Sequence, residues 1–492
     1  MARGGGVAAA AMAILVSMQP LPAAAHATGQ SFIALLPTGP YMAVGVIIVA
    51  LSILLLWFLP QRSVARLLPS RDLGPIAAPP YLRTLSSLAF FLFLCWLLAR
   101  GFSGTRDPLA NPLVLGFWVA FWMASPMIQG FLFDLWGWMS PWRWLVAPLK
   151  AAVPRPPLAL PSRLGVWPAV LLLLVFSMFT LADPAPDDPA RLAMVGSAYL
   201  VVTITGMVLC GPARWLRQVE IFSVVMAHFG RLAPLARRGR RVRLGWPGWQ
   251  LAHGARASRG IPVFIIVLLG TGSFDGFNET FVWLDLIGVN PLAFPGRSAV
   301  VMPVVGGLIA ANLILVSLFT ALVVAGDRLV GGPSVDGPSV DGPSVDGPGI
   351  NEPGINGTGR AGYLLSVFAP TILPIAFAYH TAHYLPSLLV DGQYVLVALN
   401  DPFGRGVNLL GLDGFHVTTG FFKHRESMRV IWLSQAAIIV FGHVLAVILA
   451  HANATQAYGG MRRAFTAGLP LALFMILYTW LGLWLLAAPK GG

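Results

Sequence analysis

Residues 301–325 read VMPVVGGLIAANLILVSLFTALVVA, a run of 25 residues without a charged side chain. A helix needs about 20 consecutive apolar residues to cross the hydrocarbon core of a bilayer, so this stretch predicts a membrane-spanning helix. Similar runs recur along the chain and predict about ten spans in all. They lie near residues 41–60, 82–100, 111–133, 165–182, 190–212, 260–274, 296–325, 362–388, 430–450 and 464–488. The run 260–274 is short and ends among glycines, Gly272 and Gly276, so we expect that helix to be broken there.

The composition of the whole chain agrees with this pattern. Of the 492 residues, 57% are hydrophobic and only 10% are charged. Soluble globular proteins carry about 25% charged residues, so this chain lacks the polar side chains to cover a water-facing surface. That excludes a soluble enzyme and a disordered chain. The predicted fold class is an all-α, polytopic helix bundle embedded in the lipid bilayer.

The N-terminus and the arginines predict the orientation of the bundle. Residues 1–25 contain Arg3, a short apolar core and the small run Ala23–Ala25, which is typical of a cleaved signal peptide. Cleavage after Ala25 makes His26 the first mature residue. The loops after the first, third, fifth and ninth spans are rich in arginine, with ten arginines between residues 214 and 259. By the positive-inside rule these loops face the cytoplasm of a bacterial inner membrane, and both termini face the periplasm.

The formal net charge of +13 therefore lies mostly on one membrane face. Topology and anionic lipid headgroups explain this charge better than nucleic-acid binding, because no aromatic residues for base stacking are interleaved with the arginines.

A five-residue tandem repeat divides the chain into two parts. From Gly332 to Asn356 the sequence reads GPSVD three times, then GPGIN and EPGIN. Proline and glycine in these units disfavour helix and sheet, so we interpret residues 332–361 as a linker. The first part of the bundle, 26–331, then holds about seven spans. The second part, 362–492, holds about three.

Few ionisable groups lie within the apolar runs, and such groups usually mark function. His380 and His383 are three residues apart and share one helix face. Asp275 and Glu279 lie at the end of the run 260–274, near the same predicted membrane face. His443 lies inside a later span. We therefore predict a divalent metal site, for Zn²⁺, Mn²⁺ or Co²⁺, with these ligands: His380, His383, Asp275, Glu279 and His443.

A metal at this position activates a bound water and polarises a phosphoryl or carbonyl oxygen. We expect Asp275 or His416 to act as the general base. Other interpretations of the histidines stay open at this point. They include helix packing through hydrogen bonds, a proton relay, and haem ligation by His383 with His443.

Several segments together resemble bacterial multi-pass membrane proteins known as fenitrothion hydrolase. The similarity covers most of residues 85–455, in order. The segments that carry it are DPLAN (107–111), SPWRW (140–144), RWLRQVEIFSVVMAHFGRLAP (214–234), LLGTGSFDGFNET (268–280), PIAFAYHTAHYLPSLL (374–389), DPFGRG (401–406) and FGHVLAVILAHANA (441–454).

The resemblance implies a membrane-bound hydrolase of organophosphorus triesters that releases a nitrophenol from fenitrothion. Its substrate is small and apolar, and the resemblance leaves a second membrane subunit open as a partner. It supplies no catalytic residues, so the site residues above rest on the predicted topology. A membrane transporter or metal-handling permease is the alternative, because intramembrane histidines, a broken helix and a two-part layout suit that class as well.

Overall fold

The computed structural model describes residues 36–58, 68–75, 79–252, 259–293, 295–331, 357–412, 414–458 and 460–490. The predicted signal peptide, His26 and the repeat 332–356 lie outside these residues. The helix Gly357–Phe368 begins within the last five residues of the predicted linker.

The described residues form an all-α bundle, and nine long apolar helices and a shorter one overlap the ten predicted spans. Nine of them are long and apolar enough to cross a membrane. The tenth, Trp167–Ala182, has 16 residues and is about 24 Å long at 1.5 Å per residue. The ten helices are α1 Thr38–Phe58, α2 Pro80–Ser103, α3 Pro112–Phe131, α6 Trp167–Ala182, α7 Pro189–Cys210, α11 Ile261–Asn278, α13 Val301–Leu329, α14–α15 Gly357–Asn400, α16 Arg425–Tyr458 and α17 Met461–Ala487.

Shorter elements connect the long helices. They are α4 Trp136–Met139, α5 Arg143–Ala152, α8 Pro212–Gln218, α9 Ile221–Phe229, α10 Trp249–Ala252 and α12 Phe281–Leu286, with strands β1 Ser70–Pro75, β2 Leu235–Arg238 and β3 Arg241–Gly245. The strands form one small antiparallel sheet in the order β1-β3-β2. We call the end of the bundle that carries this sheet the sheet end, and the opposite end the far end.

Two long helices depart from regular α geometry. In α3, residues Leu115–Ala124 are wound as a π-helix, and the amide of Ser125 donates to the carbonyl of Ala120. Such turns are rare and frequently accompany functional sites. The span Gly357–Asn400 consists of α14 Gly357–Phe368, a 3₁₀ turn at Ala369–Ile372, and α15 Leu373–Asn400. Prolines at 370 and 374 lack the backbone N–H that a continuous α-helix requires there.

The expectation of a break in the run 260–274 is wrong. Helix α11 continues without interruption to Asn278 and includes both glycines. Their role is to admit a neighbouring ring. A Cβ at Gly276 would lie 2.8 Å from the hydroxyl of Tyr379 on α15, so α11 and α15 approach closely at this level.

Helix α9 lies inside the bundle. Phe222 and Phe229 are buried and contact the aromatic side chains of α3, α6 and α15. Glu220, which is 1% exposed, begins the helix. Its carboxylate accepts hydrogen bonds from the amides of Phe222 and Ser223 and from the Tyr199 hydroxyl at 2.6 Å. These bonds satisfy the free amides of the first helical turn away from water.

Two of the motifs quoted from the sequence, DPLAN and DPFGRG, are turns at the far end. In DPLAN, Asn111 is fully buried, caps α3 and donates to the carbonyls of Arg100 and Thr105. In DPFGRG, Asp401 accepts the amides of Arg405 and Gly406, and these backbone bonds hold the pKa of the Asp401 carboxyl below its usual value. Gly404 and Gly406 have φ of 64° and 73°, a region that favours glycine.

A buried carboxylate joins the helices on either side of the repeat. Asp327, near the end of α13, is 3% exposed. It accepts from Arg360 Nε on α14 at 2.6 Å and from the Tyr458 hydroxyl on α16 at 3.2 Å. Helices α15, α16 and α17 also pack against α3, α11, α13 and α1. The two predicted parts of the bundle therefore pack directly against each other and are joined by Asp327 at the sheet end.

We predict that Asp327→Ala destabilises the protein by about 1–2 kcal/mol, because it leaves the buried Tyr458 hydroxyl without its acceptor and removes the ionic partner of Arg360. Thermal unfolding of the detergent-solubilised protein measures the effect. Glu426→Ala serves as the control, since the Glu426–Arg429 pair lies on an exposed helix face and contributes little. An equal unfolding temperature for Asp327→Ala and wild type would contradict the assigned role of Asp327.

Candidate functional site

An aromatic cleft lies in the half of the bundle toward the far end. Its empty volume is about 550 Å³ when the space open to solvent is included. The walls come from five helices, α3, α6, α9, α11 and α15. We call it the aromatic cleft; its rings and polar groups are Trp122, Phe176, Phe229, Tyr379, Tyr384, Asp275, His380, His383, Ser177, Thr180 and Thr271.

A carboxylate–histidine cluster lies at this cleft. Asp275 and Glu279 come from the last turn of α11 and its end, and His383 comes from the third turn of α15. One ligand atom of each side chain lies within 4.8 Å of the other two. His383 Nε2 is 3.1 Å from Asp275 Oδ2, and both side chains are 16% exposed. We call these three residues the ion cluster.

Two aromatic residues orient Asp275. The Tyr384 hydroxyl donates to Asp275 Oδ2 at 3.2 Å, and Trp122 Nε1 donates to the same hydroxyl at 3.1 Å. Trp122 belongs to the π-helical segment of α3. The chain of bonds from Trp122 through Tyr384 therefore fixes one oxygen of Asp275 relative to three helices. Outer partners of this kind orient metal ligands in many proteins.

His380 faces the cleft without joining the ion cluster. Its ring packs edge-on against Trp122 at 5.4 Å and against Tyr384 at 4.9 Å between ring centroids. Its Nε2 is buried and has no hydrogen-bond partner among the described residues. Because three residues fall short of a full helical turn, His380 and His383 are offset by about 60° around α15. The first ring packs toward α3 and the second toward α11.

His443 and His416 lie elsewhere. His443 is 1% exposed, and its Nδ1 lies 2.8 Å from the Ile439 carbonyl of its own helix. It faces Tyr478 of α17, because α16 presents Gly442 to α15 in a close contact with Ala378. His416 is exposed on the loop between α15 and α16. Neither histidine lines the cleft.

The prediction of five metal ligands therefore needs correction. The structure brings Asp275, Glu279 and His383 together and leaves His380 and His443 outside the cluster. Two carboxylates and one imidazole suit a divalent ion such as Zn²⁺, Mn²⁺ or Co²⁺, and three protein ligands leave a coordination position open for water or substrate. The residues present thus fit the predicted ion, with Asp275 as a ligand.

The sequence did not identify three further residues of the site. Tyr384 is the one that the sequence could have indicated, because it follows His383 directly and lies one helical turn after His380. Trp122 lies 262 residues from Tyr384 in the chain, and only the fold brings them together. Lys490 Nζ donates to Glu279 Oε2 at 2.8 Å. It is one of only three lysines, but its partner depends on how α17 returns to α11.

Comparison with known proteins supplies no relative. No protein-family model matches the chain, and neither a curated protein nor a solved structure is significantly similar to it.

We predict that the purified protein binds Co²⁺ and that Asp275→Asn or His383→Ala weakens this binding at least about tenfold. Tyr384→Phe is expected to weaken it by about tenfold, since it removes an outer partner of a ligand. Visible absorption of Co²⁺ during titration measures the affinity.

His443→Ala is the matched control, because His443 is a buried histidine outside the ion cluster. Wild-type affinity is expected for the control, measured per folded protein. Unchanged Co²⁺ affinity in both Asp275→Asn and His383→Ala would exclude the ion cluster as the site.

Proposed function

We propose that this chain is a membrane-bound hydrolase of apolar phosphotriesters, with the ion cluster as its catalytic centre. The observation that carries the proposal is the position of the ion cluster at an aromatic cleft within a membrane-spanning bundle. A water-activating site in soluble enzymes usually opens to water. Here the two carboxylates and the imidazole lie beside aromatic side chains, which favour an apolar substrate. Such a site suits a compound such as fenitrothion that partitions into the bilayer.

The reaction consumes one water and one triester. The oxygen of water bonds to phosphorus, the bond from phosphorus to the aryl oxygen breaks, and a phosphodiester and a nitrophenol leave. A divalent ion, when bound, lowers the pKa of a water and polarises the phosphoryl oxygen. Asp275, Glu279 and His383 would hold this ion.

The remaining residues bind and orient the substrate. Trp122 and Phe176 offer ring faces and edges to the aryl group. Tyr384 positions Asp275 through the hydrogen bond described above. His380 keeps an Nε2 without a hydrogen-bond partner at the cleft, so it can accept a hydrogen bond from a water whose other hydrogen donates to an ester or phenolate oxygen as negative charge develops there. In this scheme His380 is a substrate-binding residue and not a metal ligand.

The proposed orientation places the far end of the bundle, and with it the cleft, toward the periplasm. The arginine distribution supports this orientation through the positive-inside rule. A substrate arriving from outside the cell would then reach the cleft either from water or laterally from the outer leaflet.

A transporter is the second candidate, and the interrupted span favours it. The 3₁₀ turn Ala369–Ile372 divides Gly357–Asn400 about two helical turns before His380. Interrupted helices near the membrane centre commonly form substrate and ion sites in transporters. The two functions differ in a simple observable. A transporter moves its substrate unchanged, whereas a hydrolase changes it even in detergent.

We predict that membranes containing this chain release nitrophenol from fenitrothion and that His383→Ala lowers the rate at least about a hundredfold. The estimate follows because loss of an outer partner alone costs about 10–100-fold. Absorbance of the released nitrophenolate, at equal expression, gives the rate. Chelator treatment is expected to abolish the release, and added Co²⁺, Zn²⁺ or Mn²⁺ to restore it.

His416→Ala is the control, since this exposed histidine lies outside the cleft. It is expected to retain the wild-type rate. Full activity in His383→Ala, or chelator-resistant activity, would reject the metal-assisted mechanism. Absence of release by wild type in membranes and in detergent would reject this hydrolase and leave the transporter for testing.

A further inference from the structure

Lys490 already supplies a positive charge to the ion cluster. Its ammonium lies 2.8 Å from Glu279 Oε2, and the two side chains are 25% and 43% exposed. Within the part of the chain that the structure describes, Lys490 is the lysine in contact with a ligand of the ion cluster. Glu279 therefore has a cationic partner when no ion is bound.

The backbone around Lys490 is fixed against the end of α11. Lys490 forms an antiparallel bridge with Thr280, the residue after Glu279. The amide of Phe281 donates to the carbonyl of Pro489 at 3.0 Å. These backbone contacts fix the main chain of Lys490 beside Glu279. The ammonium therefore has a high effective concentration at the carboxylate, as it would on a short tether.

We propose that Lys490 is an internal competitor that sets the affinity of the ion cluster for divalent ions. This inference rests on the ion site of the proposed function. A divalent ion that binds Glu279 through Oε2 displaces the ammonium, because two cations repel each other at one carboxylate oxygen. Binding of the ion therefore releases the Lys490 side chain, and ions that bind carboxylates weakly do not achieve the exchange.

The two carboxylates of the ion cluster have different partners. Asp275 has its own partners in His383 and Tyr384, so one carboxylate is held by neutral or imidazole groups and the other by a lysine. Loss of the lysine leaves Asp275 and its partners in place. Lys490→Met keeps the length of the aliphatic side chain and removes only the charge, so it separates competition from packing.

We expect Lys490→Met to bind Co²⁺ about fivefold more tightly than wild type, the factor that corresponds to a partly exposed ion pair. Titration of the visible Co²⁺ absorption measures the affinity. Lys423→Met is the matched control, because Lys423 is exposed at the same end of the bundle. This substitution removes the same charge from a position outside the ion cluster. Its affinity is expected to equal that of wild type.

A second measurement follows the displacement directly. A water-soluble amine-reactive ester is added with and without Co²⁺, and mass spectrometry then measures the modification of each lysine. Co²⁺ is expected to accelerate the modification of Lys490 in wild type and to leave Lys423 unchanged. In Asp275→Asn, which is expected to bind the ion poorly, the same Co²⁺ concentration should have little effect on Lys490.

The outcomes separate this inference from the ion site itself. Equal or weaker Co²⁺ affinity in Lys490→Met, with clear binding by wild type, overturns the competition and leaves the ion site intact. Unchanged labelling of Lys490 at saturating Co²⁺ also overturns it. Absence of Co²⁺ binding in both wild type and Lys490→Met overturns the ion site, and the inference with it.

Discussion

The absence of hydrogen-bonding solvent in the membrane governs this structure. A polar group within the hydrocarbon region must find its partner inside the protein. The chain satisfies this requirement with a few concentrated groups of polar side chains. Glu220 caps the buried helix α9, Asp327 joins three helices at the sheet end, and Asp275 joins α11 to α15 and, through Tyr384, to α3. Each carboxylate accepts at least two hydrogen bonds or ionic contacts.

The site at the far end differs from the other two groups because its polar atoms are incompletely satisfied. Each carboxylate oxygen of Glu220 and of Asp327 accepts at least one hydrogen bond from within the chain, as structural groups should. At the aromatic cleft, His380 Nε2 has no hydrogen-bond partner among the described residues, and Glu279 relies on a lysine that lies partly exposed. Unsatisfied polar groups beside an apolar cleft are costly to maintain. A bound ligand would supply the missing partners and offset this cost, whether it is an ion, a phosphotriester or a transported molecule.

Hydropathy predicted the bundle well, because spanning a bilayer leaves a long and simple signal in sequence. The run 82–100, for example, corresponds to α2 Pro80–Ser103. The same signal could not place α9, since an apolar segment of nine residues is equally compatible with a membrane surface and with the protein interior. The prediction of a helix break at Gly272 and Gly276 was wrong for a similar reason. A glycine that makes room for a ring on a neighbouring helix looks the same in sequence as one that ends a helix.

The sequence identified Asp275, Glu279 and His383 but could not separate them from His380 and His443. Spacing along one helix fixes which residues share a face, and the neighbouring helices decide what each side chain meets. The motifs quoted from the sequence divide in the same way. DPLAN and DPFGRG contain buried or backbone-bonded turn residues, whereas LLGTGSFDGFNET and PIAFAYHTAHYLPSLL supply the ion cluster and much of the cleft.

Cobalt K-edge X-ray absorption on the Co²⁺-loaded protein tests the central claim most directly, because it counts the imidazole ligands of the bound ion. The account predicts a shell of oxygen and nitrogen atoms near 2.0–2.2 Å with a single imidazole, from His383. A shell with two or more imidazoles would contradict it, because His380 or His443 would then be ligands. A shell of water oxygens alone would show that the ion cluster does not bind the metal.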